Sequence, residues 1–272
     1  MPLTLRWNGS TSLPVEGGSL KPETFVGLSA ESVAHQTLQI GNSNVAIGEL
    51  FTISGTVDSG LILEGDLTHV RCIGRNMTSG SITIHGNCGG GLGQGMLGGE
   101  ILVEGLVGPS ACMGMRGGLV RIRGSAGDNL GGSEPGERLG MRDGVILVEG
   151  NIGRDAGLAM RRGLIAVQGN AGGGLGRGMV AGSIFAFGEV GFGMGCGMKR
   201  GSIVLFGERS PRLGPGFWPS GHDRPTFLTI TLSKLRSFGF PVPGSAFVGL
   251  CSRYNGDRAE GGQGEVLVAE SA

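Results

Sequence analysis

The chain has 272 residues, 59 of which are glycine, and its 22 basic and 22 acidic side chains leave a formal net charge of zero. So much glycine is typical of collagen or disordered chains, but it follows no three-residue period here, and 39% apolar residues favour a packed fold. The zero net charge argues against nucleic acid as a partner. The chain has no run of 18 apolar residues and no secretory pattern, so we expect no membrane contact and a cytoplasmic location.

Residues that could bind a metal or catalyse a reaction are scattered along the chain. The five cysteines include no C-x-x-C pair and the four histidines no H-E-x-x-H motif, so no disulfide, zinc site or iron–sulfur cluster is predicted. A G-x-G-x-x-G match at 93–98 lacks the helix and the acidic ribose partner of a dinucleotide site. No plausible Ser/His/Asp set is present. We therefore expect no catalytic residue, metal or cofactor on this chain.

The segment 1–54 precedes the regular part of the chain. Alternating apolar residues predict short strands at Leu3–Trp7 and at 13–16, and Ser29 can cap a short helix that ends near residue 34. Residues 45–54 predict a return to strand. We interpret 1–54 as an N-terminal cap, because the end of a stack of strands leaves bare backbone groups and an open core.

Residues 55–208 repeat one short pattern about every 19 residues. Each copy is a unit of alternating apolar residues between two glycines, as in GSITIHG at 80–86, and a degenerate first copy begins at Ser59. The closing glycines are Gly65, Gly86, Gly105, Gly124, Gly150, Gly169, Gly188 and Gly207. Alternation is the period of a β-strand, and a fixed repeat of this length predicts a solenoid. The pattern predicts a parallel β-helix whose glycine-rich coils stack about 4.8 Å apart.

Two apolar positions of each unit are predicted to face the interior. The first holds Leu61, Ile82, Ile101, Val120, Ile146, Ile165, Ile184 and Ile203, and the second holds Leu63, Ile84, Val103, Ile122, Val148, Val167, Ala186 and Leu205. A third position holds seven of the ten methionines, three residues before an opening glycine: Met77, Met96, Met115, Met141, Met160, Met179 and Met198. Methionine fills irregular apolar space, so we interpret this ladder as interior; a ligand or metal stack is the alternative.

One repeat is longer than the others. The closing glycines Gly124 and Gly150 are 26 residues apart, so seven residues are inserted in the segment 125–143. An insertion in a solenoid projects as a loop from one corner of the stack, and such loops commonly contact partners.

Four apolar residues of the last two units are predicted to share one outer face. They are Phe185, Phe187, Val204 and Phe206. A contiguous apolar face is normally covered, so either the C-terminal tail or another protein of an assembly is expected to lie on it.

The positions that follow the methionines carry six basic residues. They are Arg116, Arg142, Arg161, Arg162, Lys199 and Arg200, and the repeat places them along one edge. They are either ordinary solvated charge or a stripe that contacts an acidic partner or a polyanionic ligand.

The segment 209–272 is an irregular, proline-containing tail. Residues 227–232 alternate like a strand, 233–238 predict a helical turn, and 264–269 predict a last strand. Its aromatic residues are expected to pack it on the solenoid or on a partner.

The repeats, of the form G-x-I-x-V-x-G-x-x-G-x-x-x-G-x-x-M-x-x-G, resemble the C-terminal β-helix domain of glutamate synthase and the C subunit of formylmethanofuran dehydrogenase. Segments outside the repeats extend the second resemblance. GN at 41–42 and GELF at 48–51 resemble the opening segment of this dehydrogenase subunit, and YNGD at 254–257 with GQGE at 262–265 resembles its closing segment. The resemblance covers most of the chain and favours the dehydrogenase family over glutamate synthase.

The resemblance implies an all-β, right-handed parallel β-helix that serves as a non-catalytic subunit of a one-carbon enzyme. In methanogens, that enzyme reduces carbon dioxide to formylmethanofuran with tungsten or molybdenum. In methylotrophic bacteria, a similar formyltransferase/hydrolase complex moves a formyl group from formyl-tetrahydromethanopterin to a methanofuran analogue and releases formate. The 19 arginines against 3 lysines favour the bacterial complex.

The partners that the resemblance implies are amidohydrolase-type, dehydrogenase-like and formyltransferase-type subunits. The resemblance also implies that the polyglutamate tail of a methanofuran analogue is a candidate ligand of this chain. Two alternatives stay open: the C subunit of a tungsten or molybdenum dehydrogenase, and a glutamate synthase-like β-helix module.

Overall fold

The computed structural model describes residues 2–9, 11–56, 60–207 and 212–270. The predicted start of the first repeat at Ser59 and the predicted boundary between repeats and tail at 208–209 lie outside the described residues.

Strand outweighs helix in the described structure, as an all-β protein requires. The strands are β1 (Leu3–Trp7), β2 (Val15–Glu16), β3 (Thr37–Ile40), β4 (Ser43–Ala46), β5 (Phe51–Ser54), β6 (Gly60–Glu64), β7 (Val70–Arg71), β8 (Ser81–His85), β9 (Glu100–Val103), β10 (Arg116–Ile122), β11 (Asp143–Val148), β12 (Leu164–Val167), β13 (Ser183–Ala186), β14 (Arg200–Leu205), β15 (Trp218–Asp223), β16 (Cys251–Gly256) and β17 (Gln263–Ala269). The helices are α1 (Pro22–Phe25), α2 (Ala30–Ala34), α3 (Ile47–Leu50) and α4 (Thr226–Ser237).

Successive repeats pair as parallel strands, one repeat apart. Strands β6 and β8 to β14 follow one another in a sheet of 13 strands, and Ile101 lies between Ile82 and Val120 of the neighbouring strands. The sheet is mixed because antiparallel strands join at both ends. A second line of parallel bridges joins Leu67, Cys88, Val107, Ala126, Ile152, Ala171 and Val190. The predicted stacking of repeats in parallel register is confirmed.

The three apolar ladders form the interior of this stack. Both strand ladders are buried, and all seven ladder methionines have 0% exposure, which confirms the interior interpretation. Six of the seven methionines end beneath the opening glycine of the next repeat: a Cβ on Gly99 would lie 2.7 Å from Cε of Met77, and one on Gly118 would lie 2.7 Å from Cε of Met96. Met198 ends beneath Gly264 of β17 instead. Glycine is therefore required at this position for space as well as for its positive φ, 84° at Gly99.

A ladder of side-chain hydrogen bonds runs along one corner of the stack. Asn151 Oδ1 accepts from the backbone N–H of Asn170 at 2.8 Å, and Asn170 Oδ1 accepts in turn from the N–H of Glu189 at 2.9 Å. Asn87 bonds the N–H of Leu106 in the same way. These asparagines each follow a closing glycine, and they satisfy backbone donors between the strand and the next bridge.

The N-terminal segment adds to one end of the sheet. Strand β1 pairs in parallel with β6 and antiparallel with β5. Ser29 Oγ accepts from the N–H of Ser32, which confirms this serine as the N-cap of α2. The predicted return to strand at 45–54 is confirmed at β5 and at the end of β4, but a helical turn, α3, separates these two strands. Ile47 and Leu50 are three residues apart, so the turn places both in the core.

The predicted strand at 227–232 is wrong: the twelve-residue helix α4 occupies Thr226–Ser237. Leu228, Leu232 and Leu235 follow helical spacing and are fully buried on one face of it. The β-branched residues between them suggest a strand locally, but burial of this face decides for the helix.

The predicted last strand is confirmed and extends the stack. Strand β17 pairs in parallel with β14, with Val266 beside Ile203 and Val268 beside Leu205. Strands β16 and β15 then follow as antiparallel neighbours. The chain thus returns after β14 to add one more rung before the sheet ends.

Candidate interaction surfaces

The six basic residues lie along one edge in repeat register. The backbone bonds that set this register are Arg116 N–H to Met96 C=O (2.7 Å), Arg142 to Met115 (2.7 Å), Arg161 to Met141 (2.8 Å) and Lys199 to Met179 (2.7 Å). Four of the six directly follow a buried ladder methionine, and Arg162 and Arg200 come one residue later. The packing of the methionine fixes the height of these side chains along the edge.

Four of the six basic residues line one groove of about 540 Å³. They are Arg161, Arg162, Lys199 and Arg200. The opposite wall comes from the tail and includes one carboxylate, Glu260, whose oxygen lies 3.5 Å from Nζ of Lys199. Arg200 Nε donates to Oε1 of Gln263 at 2.8 Å. We call this depression the basic groove; it carries four cations against one carboxylate, an excess that attracts carboxylate or phosphate groups.

Arg161, Arg162 and Arg200 have no acidic partner within ion-pair distance among the described residues. Arg200 donates to the neutral Gln263, which leaves Arg161 and Arg162 without a side-chain partner in the described part of the chain. Both are exposed. A ligand carboxylate could therefore reach them without displacing a contact of the folded chain. Because the groove is open to water, each such contact is weak and is screened by salt.

The other two predicted edge residues lie outside the basic groove. Arg142 pairs with Glu137 of the insertion, with 3.0 Å between Nη2 and Oε2. Arg116 stands beside Asp143 in the parallel register of β10 and β11. The predicted stripe of six is thus divided, and its C-terminal four residues line a concave site.

The predicted apolar outer face is covered by the C-terminal tail. Phe185 and Val204 are fully buried, and Phe187 and Phe206 are half-buried with nearly parallel rings whose centroids are 4.6 Å apart. The buried face of α4 and Phe240 pack against the same cluster: Leu228, Leu232, Leu235 and Phe240. The sequence left open whether the tail or another protein covers this face, and in the structure it is the tail.

Two exposed histidine–glutamate pairs carry perturbed carboxylates. The hydrogen bond from His85, and to a lesser extent the charge of Arg123, holds the pKa of Glu104 below its ordinary value. Hydrogen bonds from His222 and Ser252 lower the pKa of Glu270 in the same way. In the second cluster histidine and serine both donate to one carboxylate oxygen, so the histidine is not placed to activate the serine.

Two thiols of the described chain are buried in the apolar core. Burial raises the pKa of the Cys88 thiol to about 12 and raises that of Cys112 as well, so both behave as apolar core residues. No group of three or more His, Cys, Asp and Glu side chains comes close enough to hold a metal ion within 2–9, 11–56, 60–207 and 212–270.

None of the described helices is both long and apolar enough to cross a bilayer.

A second groove, of about 520 Å³, was not predicted from the sequence. Glu16 of the N-terminal segment, the corner residues His69 and Cys72, and Pro135 of the insertion all line it. The insertion folds back over earlier repeats, since a Cβ on Gly114 would lie 2.7 Å from Oε1 of Glu134. The 26-residue spacing between the closing glycines Gly124 and Gly150 indicated the insertion, but it did not show in which direction the inserted loop would fold.

The fold and these surfaces define a class: a stacked-repeat β protein with a basic groove at one edge and its own tail over one face. A chain of the crystal structure of the formyltransferase/hydrolase complex (FhcABCD) from Methylorubrum extorquens in complex with methylofuran has this fold. It superposes with a TM-score of 0.87 and 30% identity, over 98% of this chain and 99% of that chain.

Curated relatives match a shorter part of the chain. The C subunit of the tungsten-containing formylmethanofuran dehydrogenase 2 of Methanothermobacter thermautotrophicus is 34% identical over 80 residues, 28% of this chain and 30% of that protein. The C subunit of the molybdenum-containing formylmethanofuran dehydrogenase 1 of the same organism is 38% identical over 83 residues, 30% of this chain and 21% of that protein. No family model matches the sequence. The chain belongs to the same family as the matched chain of the formyltransferase/hydrolase complex, to which it is 30% identical along nearly its whole length. It spans less than a third of the length of the dehydrogenase C subunits that it matches.

Proposed function

We propose that this chain is a non-catalytic structural subunit of a cytoplasmic formyltransferase/hydrolase complex. That complex would move a formyl group from formyl-tetrahydromethanopterin to a methanofuran analogue and release formate. The observation that carries the proposal is the match along 98% of this chain to a chain of the formyltransferase/hydrolase complex of Methylorubrum extorquens. The dehydrogenase relatives match over less than a third of their own length, which supports family membership but not the particular reaction.

We infer that the stacked repeats form a right-handed parallel β-helix. The parallel pairs at an offset of one repeat, together with the second line of bridges, support a coiled path. Connections between parallel strands of one sheet are overwhelmingly right-handed, which supports that hand. In the proposed complex the β-helix would be a rigid surface on which enzymatic subunits are held.

The basic groove is the part of this surface that we assign to an anionic contact. Arg161 and Arg162 have no acidic partner among the described residues, and Lys199 forms an ion pair with the exposed Glu260. We propose that an acidic surface of a partner subunit lies there, and that the polyglutamate tail of a methanofuran analogue is the other candidate. Guanidinium groups bind carboxylates in bidentate geometry, which favours either anion over a neutral ligand.

Co-purification tests the proposed function. A tagged chain isolated from its native cells should bring amidohydrolase-type, dehydrogenase-like and formyltransferase-type subunits in a fixed stoichiometry, measured by native mass spectrometry. The chain purified alone should not hydrolyse a formylated methanofuran analogue. Recovery of the chain without such companions, or formyl hydrolysis by the isolated chain at a rate comparable to that of the complex, would contradict the proposal.

A second candidate is the C subunit of a tungsten- or molybdenum-containing formylmethanofuran dehydrogenase. The names of the curated relatives favour it. The same purified complex separates the two candidates, because a dehydrogenase would contain stoichiometric tungsten or molybdenum and would reduce an electron acceptor. A complex without either metal that releases formate from the formylated carrier supports the transferase/hydrolase.

A further inference from the structure

An exposed phenylalanine stands at the corner of the last repeat before the tail. Phe192 is 67% exposed, the highest value among the exposed large apolar residues of the described chain. The equivalent positions of the earlier repeats hold His69, Gly90, Pro109, Asp128, Arg154 and Gly173, none of which is a large apolar residue. The repeat therefore does not require an aromatic ring at this corner, and the ring is not used in the core.

Two depressions lie next to this corner: Phe192 lines the smaller one, and the residues that follow it, Gly193 and Met194, line the larger one. One, of about 380 Å³, includes Ala171 and Val190 of the preceding corners. The other, of about 450 Å³, includes Met194 and, from the tail, Pro215 and Phe217. The larger depression is mainly apolar, whereas the smaller one also contains Asn170 and Glu189. The apolar relief of this corner therefore comes from Phe192 and the larger depression. Contiguous apolar relief of this kind is typical of contact sites.

Two arginines border the same region with their guanidinium groups stacked on aromatic rings. The Arg212 guanidinium carbon lies 4.6 Å from the ring centroid of Phe192, and that of Arg258 lies 4.5 Å from Trp218. Stacking holds the plane of a guanidinium and leaves its N–H edge free to bind a carboxylate. Within the described ranges, neither arginine has a carboxylate at ion-pair distance.

The one acidic residue that lines the larger depression is already engaged. Asp257 accepts from the backbone N–H of Gly197 and from that of Ala259, both at 3.1 Å. Its carboxylate thus holds the tail against the last repeat and does not neutralise the arginines. Glu189 lines the smaller depression together with Arg212 but is not within ion-pair distance of it among the described residues. The site thus combines apolar relief with fixed guanidinium groups that lack an ion-pair partner, which is the composition of interface hot spots.

We propose that Phe192 and its two flanking depressions are the docking site for a segment of a partner subunit that presents an apolar side chain beside a carboxylate. The apolar side chain would enter the depression of Met194 and Phe217, and the carboxylate would bind the edge of Arg212 or Arg258. The inference rests on the proposed function, since it presupposes that the chain assembles with other subunits. It names a contact site that is separate from the basic groove.

Cys196 provides a reporter inside the site. It lines the larger depression and is the exposed one of the five cysteines; Cys88, Cys112 and Cys251 are buried and Cys72 is half-buried. In the isolated chain a maleimide should therefore label Cys196 first, as read by peptide mass mapping. In the purified complex we expect labelling of Cys196 to be slower by at least about tenfold, because the thiol must be reached through the occupied depression.

A matched pair of variants tests the contact itself. Phe192→Asp should weaken retention of the chain in the complex by about tenfold or more, since it removes the ridge and places a negative charge beside the incoming carboxylate. Ile230→Asp is the control, because Ile230 is 66% exposed on α4, away from the site. Both side chains are largely solvated, so both variants should keep the circular dichroism spectrum and melting temperature of the parent chain.

The outcomes separate this inference from the proposed function. Complete recovery of partner subunits with Phe192→Asp, together with unprotected Cys196, would overturn the docking site and leave the function standing. Protection of Cys196 already in the isolated chain would also overturn it, because the depression would then be closed without a partner subunit. Failure of the parent chain to recover any partner would overturn the proposed function and this inference with it.

Discussion

The methionine ladder makes a quantitative prediction at Met160. Its side chain is completely buried, and its Cε ends 2.9 Å from where a Cβ on Gly182 would stand. The rungs above and below are held by the bonds from Val180 N–H to the Met160 carbonyl and from Arg161 N–H to the Met141 carbonyl, both 2.8 Å. Met160→Ala therefore leaves a cavity that the backbone cannot close, and we expect a loss of about 3–5 kcal/mol, the upper part of the range for such truncations.

Urea unfolding followed by circular dichroism measures this loss. Met160→Leu is the matched control, since it keeps most of the volume and should lose less than about 1.5 kcal/mol. A Met160→Ala variant within about 0.5 kcal/mol of the parent would show that no packed side chain was removed and would refute the argument.

The contact with Gly182 adds a second arm to the experiment. Gly182→Ala alone should destabilise the chain, because φ is 107° there and the new methyl would meet the Met160 side chain and the carbonyl of Gly163. In the double variant with Met160→Ala, one clash is gone. The losses in free energy of unfolding of the two single variants should then add up to about 1 kcal/mol more than the loss of the double variant. Strict additivity would indicate that the methionine does not lie beneath the glycine.

Three further predictions concern the surface. Phe187→Asp should loosen the tail, because it places a charge within an apolar contact, and limited proteolysis should then cut the tail faster. Reversal of Arg161 and Arg162 to Glu should weaken assembly or turnover of the complex more at low salt than at high salt, measured by the salt dependence of either quantity. Glu104 has a lowered pKa, so its contribution to stability is present above its unfolded pKa and is lost as pH falls through the folded value; His85→Ala should raise the Glu104 pKa in an NMR titration.

Each of these predictions has a control and an outcome that contradicts it. For the tail, Cys251 is buried in the same apolar cluster, and unchanged protection of this thiol in Phe187→Asp would mean that the tail stays docked. For the charge reversal, Arg154→Glu alters an exposed arginine outside the basic groove; an equal effect there would point to net charge alone. For Glu104, an unchanged titration midpoint after loss of His85 would remove the hydrogen bond as the cause.

Several features of the corner and of the tail were within reach of the sequence but were not recognised. The asparagines at 87, 151 and 170 each follow a closing glycine, so the register that revealed the methionines also marks this ladder. The spacing of Leu228, Leu232 and Leu235 is helical. That spacing competed with the strand preference of the β-branched residues between them, and local preference alone does not decide such a case.

What the sequence by itself determined is the part that repeats. A period of 19 residues brings identical positions of successive rungs together, so Ile82 beside Ile101, the buried methionines and the glycines above them all follow from counting. The tertiary structure alone decided where non-repeating segments return: β17 as a further rung on β14, α4 over Phe185, and Glu260 across the groove from Arg161. These contacts join segments far apart in the chain without a common period, and their geometry depends on which apolar face the folded stack leaves uncovered.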